Sequence, residues 1–584
     1  MKRYEENWVT VRKPGNVAEI MHRFGISDVF ARLLWNRGYC TEQDVAGFLY
    51  PETELAWPRL YGTDTFVRVM REAVAEGGKF RVVGDYDVDG VTATYLMVTA
   101  LRMLGADADY RIPDRVADGY GISSEMIRTA HADGVRTIVT VDNGIAAVEQ
   151  CRIAKSLGIR MIVTDHHEPQ AELPETDCTV DPKAAPEGKR YENLCGAVVA
   201  ALLADALLET YGMNGYAKAS VEVLALATVC DVMLLTGVAR DIVRRGLAKP
   251  VSTWNAGLRA LIAANGIEGK VRNHHLGFIL GPCINALGRL ETADPGVELL
   301  LGCDEAALAE CARRMVSVND QRKDQSELMT DEAVRMADTM IAAGGDDPVL
   351  ILYLPQCHES LAGIVAGRVR ERFQRPSFVL TDTAKDAELV KGSGRSTESF
   401  SMFDGMMECR DLFDHFGGHA AAAGVTMPKA NIEAFRRAMA DAFDAQEATL
   451  KKKITIDLVL PFRCLTIPLT EELSLLEPFG NGNPKPVFAQ KDVTIQSLRY
   501  IGRDSRYLAM VLRDSDGTQM RGVYFGDAAE FTEEYAEAFG NASLDAALAG
   551  RGNERAAFLY YPERHEYNGN VSVQIQVTGY HFTK

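Results

Sequence analysis

Residues 80–105 read FRVVGDYDVDGVTATYLMVTALRMLG, and their pattern decides the fold. A short apolar run, FRVVG, ends in carboxylates at Asp85, Asp87 and Asp89 and passes into a helix-like stretch, VTATYLMVTALRMLG. The same figure recurs downstream. TIVTV (137–141) meets Asp142 and precedes AAVEQCRIAKSLG (146–158), and IRMIV (159–163) runs into Thr164-Asp165-His166-His167. Apolar strands alternating with helices of this length predict parallel βαβ units, and so an α/β lobe with a doubly wound parallel sheet. Ligands of such sheets sit beyond the carboxyl ends of the strands. The acids and histidines are therefore expected along one edge.

Working outward, the chain divides into an N-terminal helical region (1–60), the doubly wound lobe (61–260), a linker (261–345), a second α/β lobe (346–450) and a C-terminal β-barrel (451–584). Within the first lobe a further acid, Asp231, follows the apolar run VLALATVC and reads as another strand-end site. From Asp304 to about Ala343 the pattern is helical and closes on Gly344-Gly345 as a C-cap. Some 40 helical residues span roughly 60 Å, enough to bridge two lobes. The second lobe opens with the strand-like PVLILYL and carries two glycine-rich segments read as loops, GSGRS (392–396) and GGHAAAAG (417–424). Strict alternation in ITIDL (454–458) and VSVQIQV (571–577) predicts a small antiparallel barrel, five-stranded and of the OB type.

Composition narrows the function classes. The net charge of −18 is the wrong sign for a protein that coats duplex DNA, so any nucleic acid must bind in local basic grooves. The 11 cysteines form no CxxC pair, which disfavours a disulfide framework or a structural zinc site. The start, MKRYEENWV, lacks the apolar stretch of a signal peptide, and no run reaches the roughly 18 apolar residues of a membrane span. The expectation is a soluble, cytoplasmic protein without membrane contact.

The chemistry starts from the three carboxylates of GDYDVDG. Like charges this close resist common ionisation unless cations neutralise them. Alone, the segment fits a calcium loop or a solvated turn as well as a catalytic metal site. Its company shifts the balance. Asp142, His166, His167 and Asp231 add a mixed oxygen and nitrogen ligand set, suited to Mn²⁺ or similar divalent ions. Two such ions sharing a carboxylate, about 3.5–4 Å apart, would activate water and stabilise the leaving oxygen of a phosphodiester.

DYDVDG, TVDNG, DHH and the Asp231 motif, in this order, resemble the four ligand motifs of the DHH phosphodiesterases. The resemblance implies two Mn²⁺ or Mg²⁺ ions held by Asp85, Asp87, Asp142, His166 and Asp231, with Asp142 bridging. It places His167 beside the scissile phosphate and Asp165 behind it as an orienting acceptor; Asp89 is either ligand or support. GPCINALGRL (281–290), HESLAGIVAGRV (358–369), the two glycine-rich segments and EPFGNGNPKPVF (477–488) are similar to motifs of the RecJ branch, with its DHHA1 lobe and OB-fold. Through these motifs the resemblance implies substrate contacts from Arg115, Asn285, Arg289, His358 and Arg368. Cys357 departs from the branch, which usually has tryptophan there, and Glu359-Ser360-Leu361 replaces a glycine-rich approach.

In the second lobe, Arg395 is flanked by Gly392, Ser393, Gly394 and Ser396, so amides, hydroxyls and a guanidinium could face one anion. The alternative is an exposed flexible loop. His419 in GGHAAAAG offers a donor to phosphate or base, unless that run is a tight helix start. Arg368, Arg370, Arg372 and Arg375 form either a solvated helix face or a strip along a DNA backbone. The resemblance implies 5′→3′ hydrolysis of single-stranded DNA in recombination and repair, with a single-strand-binding protein and a helicase as candidate partners. The rival enzyme reading is an oligonucleotide or cyclic-dinucleotide phosphodiesterase. A catalytically silent DNA-binding scaffold is disfavoured by the complete ligand set.

Overall fold

A computed structural model describes the chain apart from residues 1–5, 51–54, 56, 116–117, 120, 187–190, 344–346, 384–385, 387, 568 and 583–584. The expected C-cap at Gly344-Gly345 lies outside the described residues. The N-terminal region, expected to be helical, opens with a strand, β1 (Glu6–Thr10), before its helices Ala18–Phe24, Asp28–Asn36 and Glu42–Leu49.

The first lobe is built on β2 (Lys79–Val83), β3 (Ala108–Arg111), β4 (Val135–Val141), β5 (Arg160–Thr164) and β6 (Cys178–Val180). They pair in the order β3-β2-β4-β5-β6, every pair parallel. This is the doubly wound arrangement the sequence predicts. Chain order reverses between β2 and β4, and a crevice opens there at the carboxyl edge. One face of the sheet packs on the helices Val88–Met103 and Gly196–Glu209, and the other on Ser124–Ala132 and Val148–Ser156. Burial on both faces explains why β4 reads as an almost unbroken apolar run.

A single helix, Glu305–Ala342, bridges to the second lobe, its N-terminus capped by Asp304. That lobe holds β7 (Leu350–Tyr353), β8 (Ser377–Asp382), β9 (Leu389–Arg395), β10 (His415–His419) and β11 (Ala422–Pro428) in the order β10-β11-β9-β8-β7. Both glycine-rich segments are therefore strands, not loops, and neither starts a helix. The reason is close packing: a Cβ at Gly392 would stand 2.3 Å from Leu380, and one at Gly394 2.4 Å from Met402 and 2.5 Å from Phe378. The glycines of β9 make room for their cross-strand neighbours on β8, Leu380 and Phe378, and for Met402 at the start of the helix Met402–Glu408, rather than forming a turn.

The C-terminal part begins with β12 (Lys452–Ile456) and β13 (Leu458–Val459) and continues through β14 (Phe488–Ile501), β15 (Tyr507–Arg513), β16 (Gln519–Tyr524), β17 (Arg555–Tyr567) and β18 (Asn570–Phe582). Strands β14-β15-β16-β18-β17 close on themselves through β14–β17 pairing, which makes the expected five-stranded barrel. Of the alternating ITIDL segment only the last residue, Leu458, reaches the barrel's sheet, in β13, which pairs in parallel with the start of β14. The segment's first part, β12, pairs in parallel with β1.

The barrel core also includes the N-terminal helices: Phe30, Leu33, Leu34, Val45 and Phe48 pack with Leu469, Leu473, Phe488, Phe531 and Tyr560. Chain ends more than 400 residues apart thus make one unit, tied further by Asn36 Nδ2 donating to the Asp457 carbonyl at 3.2 Å. Phe30 is fully buried there. We expect Phe30→Ala to destabilise this unit by about 3–5 kcal/mol through lost contact and an unfilled cavity. Calorimetry should show the transition of the barrel moving down; an unchanged profile would contradict the shared core.

Candidate active site

The reactive groups stand where strands end. Asp85 follows β2 by one residue; Asp142 follows β4 directly and is held at φ 62°, a left-handed conformation rare for a non-glycine residue. The turn is fixed by Asn143, whose Nδ2 donates to the Val83 (3.0 Å) and Val141 (2.9 Å) carbonyls, and by Asp142 N donating to Thr164 O at 3.0 Å. Asp87 caps the helix Val88–Met103, its Oδ1 accepting from Asp89 N (2.9 Å) and Gly90 N (3.0 Å). His166 and His167 follow β5.

Asp231 is not at a strand end. It caps the C-terminus of the helix Val221–Cys230. The periodicity of VLALATVC could not distinguish a buried helix from a buried strand, because the helix is apolar on every side. Beyond it, Val232 N donates to Val229 O and Met233 N to Thr228 O, both at 3.2 Å, with Val232 at φ 55°. This is a Schellman closure with valine in the place glycine usually takes. The left-handed backbone costs a β-branched residue roughly 1–2 kcal/mol.

Asp89 anchors a helix as well as standing in the cluster. Its two oxygens accept from Gly196 N (2.6 Å) and Ala197 N (2.9 Å) at the N-terminus of the helix Gly196–Glu209, where the helix dipole favours an anion. That helix comes so close that a Cβ at Gly196 would lie 2.5 Å from Asp142 Oδ1. Glycine is required there.

Three overlapping groups bring one ligand atom per residue within 4.8 Å of each other: Asp85, Asp87 and Asp142; Asp89, His166 and Asp231; and Asp142, His166 and His167. His166 Nε2 lies 3.1 Å from Asp142 Oδ1, 3.5 Å from Asp231 Oδ2 and 3.7 Å from Asp89 Oδ2. Burial, then the charge of Asp87, pushes Asp85 up to about 8. Burial with Asp89 and Asp87 pushes Asp231 up to about 9, and burial with neighbouring carboxylates likewise raises Asp87 and Asp142. Burial also brings the His166 imidazole down to about 4, so it is neutral and able to ligate. Asp85 Oδ1, Asp231 Oδ2 and His166 Nδ1 are buried without a hydrogen-bond partner among the described residues. Unsatisfied carboxylate oxygens beside a neutral imidazole are the donor set of a divalent cation, and the residues fit Mn²⁺ or Mg²⁺.

His167 differs from its neighbour. Burial works to lower it, but the 2.8 Å bond from Nδ1 to Asp165 Oδ1 prevails and holds it above its usual range. Asp165 in turn is kept low against its own burial by His167, and it also accepts from Ile145 N (2.9 Å) and His166 N (2.7 Å). It fixes both histidines.

Facing the acids is a group of arginines. Arg115 stacks on the Tyr86 ring at 4.6 Å and its charge is felt by Asp85, Arg289 and Arg395. Burial, then Arg115 and Arg322, brings Arg289 down to about 9; burial, Arg115 and Arg370 lower Arg395. Arg289 Nη1 donates to Ser360 O at 2.7 Å and Ser360 Oγ donates to Arg289 O at 2.9 Å, while His358 Nδ1 lies 2.7 Å from the same hydroxyl. These bonds join the two lobes. Arg395 Nη1 donates to Ser393 Oγ (3.1 Å) and Gly394 O (2.7 Å), and a Cβ at Gly363 would meet Arg395 Nη2 at 2.8 Å.

Sequence reasoning missed Arg322, on the bridging helix. Its Nε and Nη2 both donate to Asn319 Oδ1 (3.2 and 3.0 Å), and burial together with Arg368 lowers it. In the sequence it is one charge among many on a long helix. Three predicted residues stand differently from the rest. Asn285 Oδ1 accepts from Val88 N at 3.2 Å and so braces the acidic turn. Arg375 Nη1 donates to Asp347 O at 2.6 Å, which takes it out of any arginine strip. His419 is exposed on β10, and no described contact joins it to the cluster.

Family models match three stretches: the DHH family N-terminal domain at 79–229, the DHHA1 domain at 346–445 and the RecJ OB domain at 456–579. The chain is 31% identical over 568 residues to the single-stranded-DNA-specific exonuclease RecJ of Escherichia coli, covering 93% of this chain and 94% of that protein. It is 33% identical to the Bacillus subtilis protein of the same name over 503 residues, which is 85% of this chain and 63% of the longer relative. The crystal structure of RecJ in complex with Mn²⁺ from Thermus thermophilus superimposes with a TM-score of 0.82 at 28% identity, covering all of this chain and 80% of that one.

Acids held above their ordinary range bind protons in the folded chain and release them on unfolding. The metal-free protein therefore loses stability as pH rises from the usual carboxylate value toward 8 to 9. His166 acts in the opposite sense between about 4 and 6.5, so the clean window lies above 6.5, where the raised His167 acts with the acids. In EDTA the melting temperature should fall between pH 6.5 and 9, and Mn²⁺ should remove most of that slope. A flat or rising profile in EDTA would mean that the carboxylates do not repel one another as described.

Proposed function

The chain belongs to the RecJ family of DHH proteins, and from that membership we propose that it is a metal-dependent exonuclease that hydrolyses single-stranded DNA in the 5′→3′ direction, in recombination and repair. One observation carries the reading: the buried acid and histidine cluster faces an arginine cleft at the junction of the two lobes, with Arg115 acting on both. The cleft supplies local positive charge in a chain whose net charge is −18. Local positive charge of this kind is what a polyanion requires.

Asp85, Asp87, Asp142, His166 and Asp231 would hold two Mn²⁺ or Mg²⁺ ions, with Asp142 shared between them. When bound, the ions supply Lewis acidity to the phosphoryl group and make water acidic enough to attack near neutral pH. His167, whose protonated form Asp165 favours, would neutralise charge on the scissile phosphate. Arg289, Ser393 and Arg395 grip a terminal phosphate; Arg115 and Arg368 track the adjoining backbone, with His358 supporting at the lobe junction. Asn285 acts through the acidic turn it braces rather than on DNA. The barrel extends the grip along the strand by stacking, the usual role of an OB-fold. A helicase and a single-strand-binding protein are the partners that would present such a strand, and the cytoplasm is the compartment where it arises. No helix among the described residues is long and apolar enough to cross a membrane.

Purified protein with Mn²⁺ on end-labelled single-stranded and duplex DNA tests the reading directly. Asp142→Ala should abolish turnover with circular dichroism unchanged; activity within tenfold of the parent would defeat the shared-ligand role. For polarity, an arginine fork to a phosphate is worth about 1.5–3 kcal/mol. Arg395→Ala should therefore lower kcat/KM by roughly ten- to a hundred-fold on 5′-phosphorylated strands and far less on 5′-hydroxyl strands. Equal slowing on both would place Arg395 at the scissile phosphate instead.

A further inference from the structure

The turn that carries Asp231 is held from outside its own lobe. The segment 476–484, which leads into the barrel, is folded tightly on itself: Asn483 Nδ2 donates to Leu476 O (2.7 Å) and Pro478 O (2.8 Å), and Gly480 and Asn483 exchange backbone bonds at 2.9 and 3.1 Å. An N-terminal helix steadies it through Arg37, which bonds Asn483 Oδ1 and, at 2.6 Å, the Pro484 carbonyl. From this braced segment Asn481 reaches the metal side. Its Nδ2 donates to Val232 O at 2.8 Å, and its own carbonyl accepts from Leu235 N at 2.7 Å. Gly482 and Gly480 let the segment lie against Leu234 and Leu235, since a Cβ there would stand 3.2 and 2.6 Å from their side chains.

Asn481 therefore closes both ends of the four-residue turn that follows Asp231. That turn contains Val232 at φ 55°, a conformation a β-branched residue leaves unless its surroundings over-determine it. Val232 is 64% exposed, so its own side chain packing does not hold it. It is held by the Schellman bonds of Val232 N and Met233 N and, from outside the lobe, by the Asn481 side-chain amide on the Val232 carbonyl.

We propose that Asn481 is a positioning residue for the metal centre: by fixing the strained turn at Val232 it sets the direction of the Asp231 carboxylate, so that the barrel segment completes the His166–Asp231 side of the site. The inference rests on the metal-binding reading above. It assigns the barrel's leading segment a part in building the catalytic centre, separate from any grip on DNA. The side of the site made by Asp85, Asp87 and Asp142 has its own supports, Asn143 and Asn285, and does not depend on this segment.

The test is Mn²⁺ uptake without substrate. Metal-free full-length protein is titrated with MnCl₂, free ion is counted by electron paramagnetic resonance, and heats are followed by calorimetry. The parent should bind in two steps. In Asn481→Ala one step should weaken about tenfold, in the range that loss of an outer-shell partner produces, and the other should be unchanged. Asn481 is exposed, so the melting temperature in EDTA should stay the same. Adding Val232→Gly to that variant should recover most of the lost affinity, because glycine takes the left-handed conformation without strain. Affinity unchanged to within twofold in Asn481→Ala, or both steps weakened together with a lower melting temperature, would overturn the proposal. Failure of Val232→Gly to recover affinity would overturn the strained turn as the route. A parent protein that takes up no Mn²⁺ would instead overturn the metal reading on which the proposal stands.

Discussion

Carboxylates gathered away from water repel one another, and a folded chain keeps such a group only where cations complete it. Asp85, Asp87, Asp142 and Asp231 are in that position, and much of the first lobe serves to hold them there. The parallel sheet delivers Asp85 and Asp142 side by side because β2 and β4 are neighbours at the switch point. Asp89 adds to that repulsion, its charge helping to raise Asp87, Asp142 and Asp231, but its two oxygens also accept from amides at a helix N-terminus, and the same bonds bring that helix down over Asp142. One acid in the cluster thus acts as an anchor that makes the close packing of the others possible. The left-handed backbone at Asp142 is part of the same arrangement: the strain aims a carboxylate that an ordinary strand exit would direct elsewhere.

The opposite wall is constrained in mirror image. Arg289, Arg322 and Arg395 are buried among other arginines and their guanidinium donors are met mainly by carbonyls and hydroxyls, not by carboxylates. An acid wall that wants cations and a basic wall that wants anions, with Arg115 between them, make a site complementary to a metal-bound phosphodiester rather than to either charge alone.

The parts legible in the sequence were those governed by local pattern. Strand–acid–helix repetition specified the doubly wound sheet and put Asp85, Asp142, His166 and His167 on one edge, because every strand of a parallel sheet ends on the same side. The misreadings share a cause. GSGRS and GGHAAAAG carry turn residues, yet contribute to β9, β10 and β11; the glycines of GSGRS answer to Leu380 and Phe378 on the neighbouring strand and to Met402 on a helix. ITIDL alternates like a barrel strand, but β12 finds its partner in β1, which no local signal indicates. Arg322 and Asn481 act at distances of the chain that spacing cannot reveal. Long-range contact, not propensity, decided each of these.

The two junctions of the first lobe with its neighbours are built on different principles, and that difference bears on how the molecule works. Toward the barrel, the buried Arg240 lies 3.8 Å over the Phe48 ring and donates to the carbonyls of Phe48, Leu475 and Glu477 at 3.1–3.4 Å. A guanidinium sealed in this way, its pKa brought down to about 10 by burial, would be left with a desolvated charge if the contact opened. The barrel is therefore fixed to the first lobe whether or not substrate is present. Toward the second lobe the contact is the helix Glu305–Ala342 and the reciprocal pair between Arg289 and Ser360, set among arginines that repel each other. That junction gains stability when an anion enters it. One joint is sealed around a desolvated charge, and the other leaves its arginines to be neutralised by an anion.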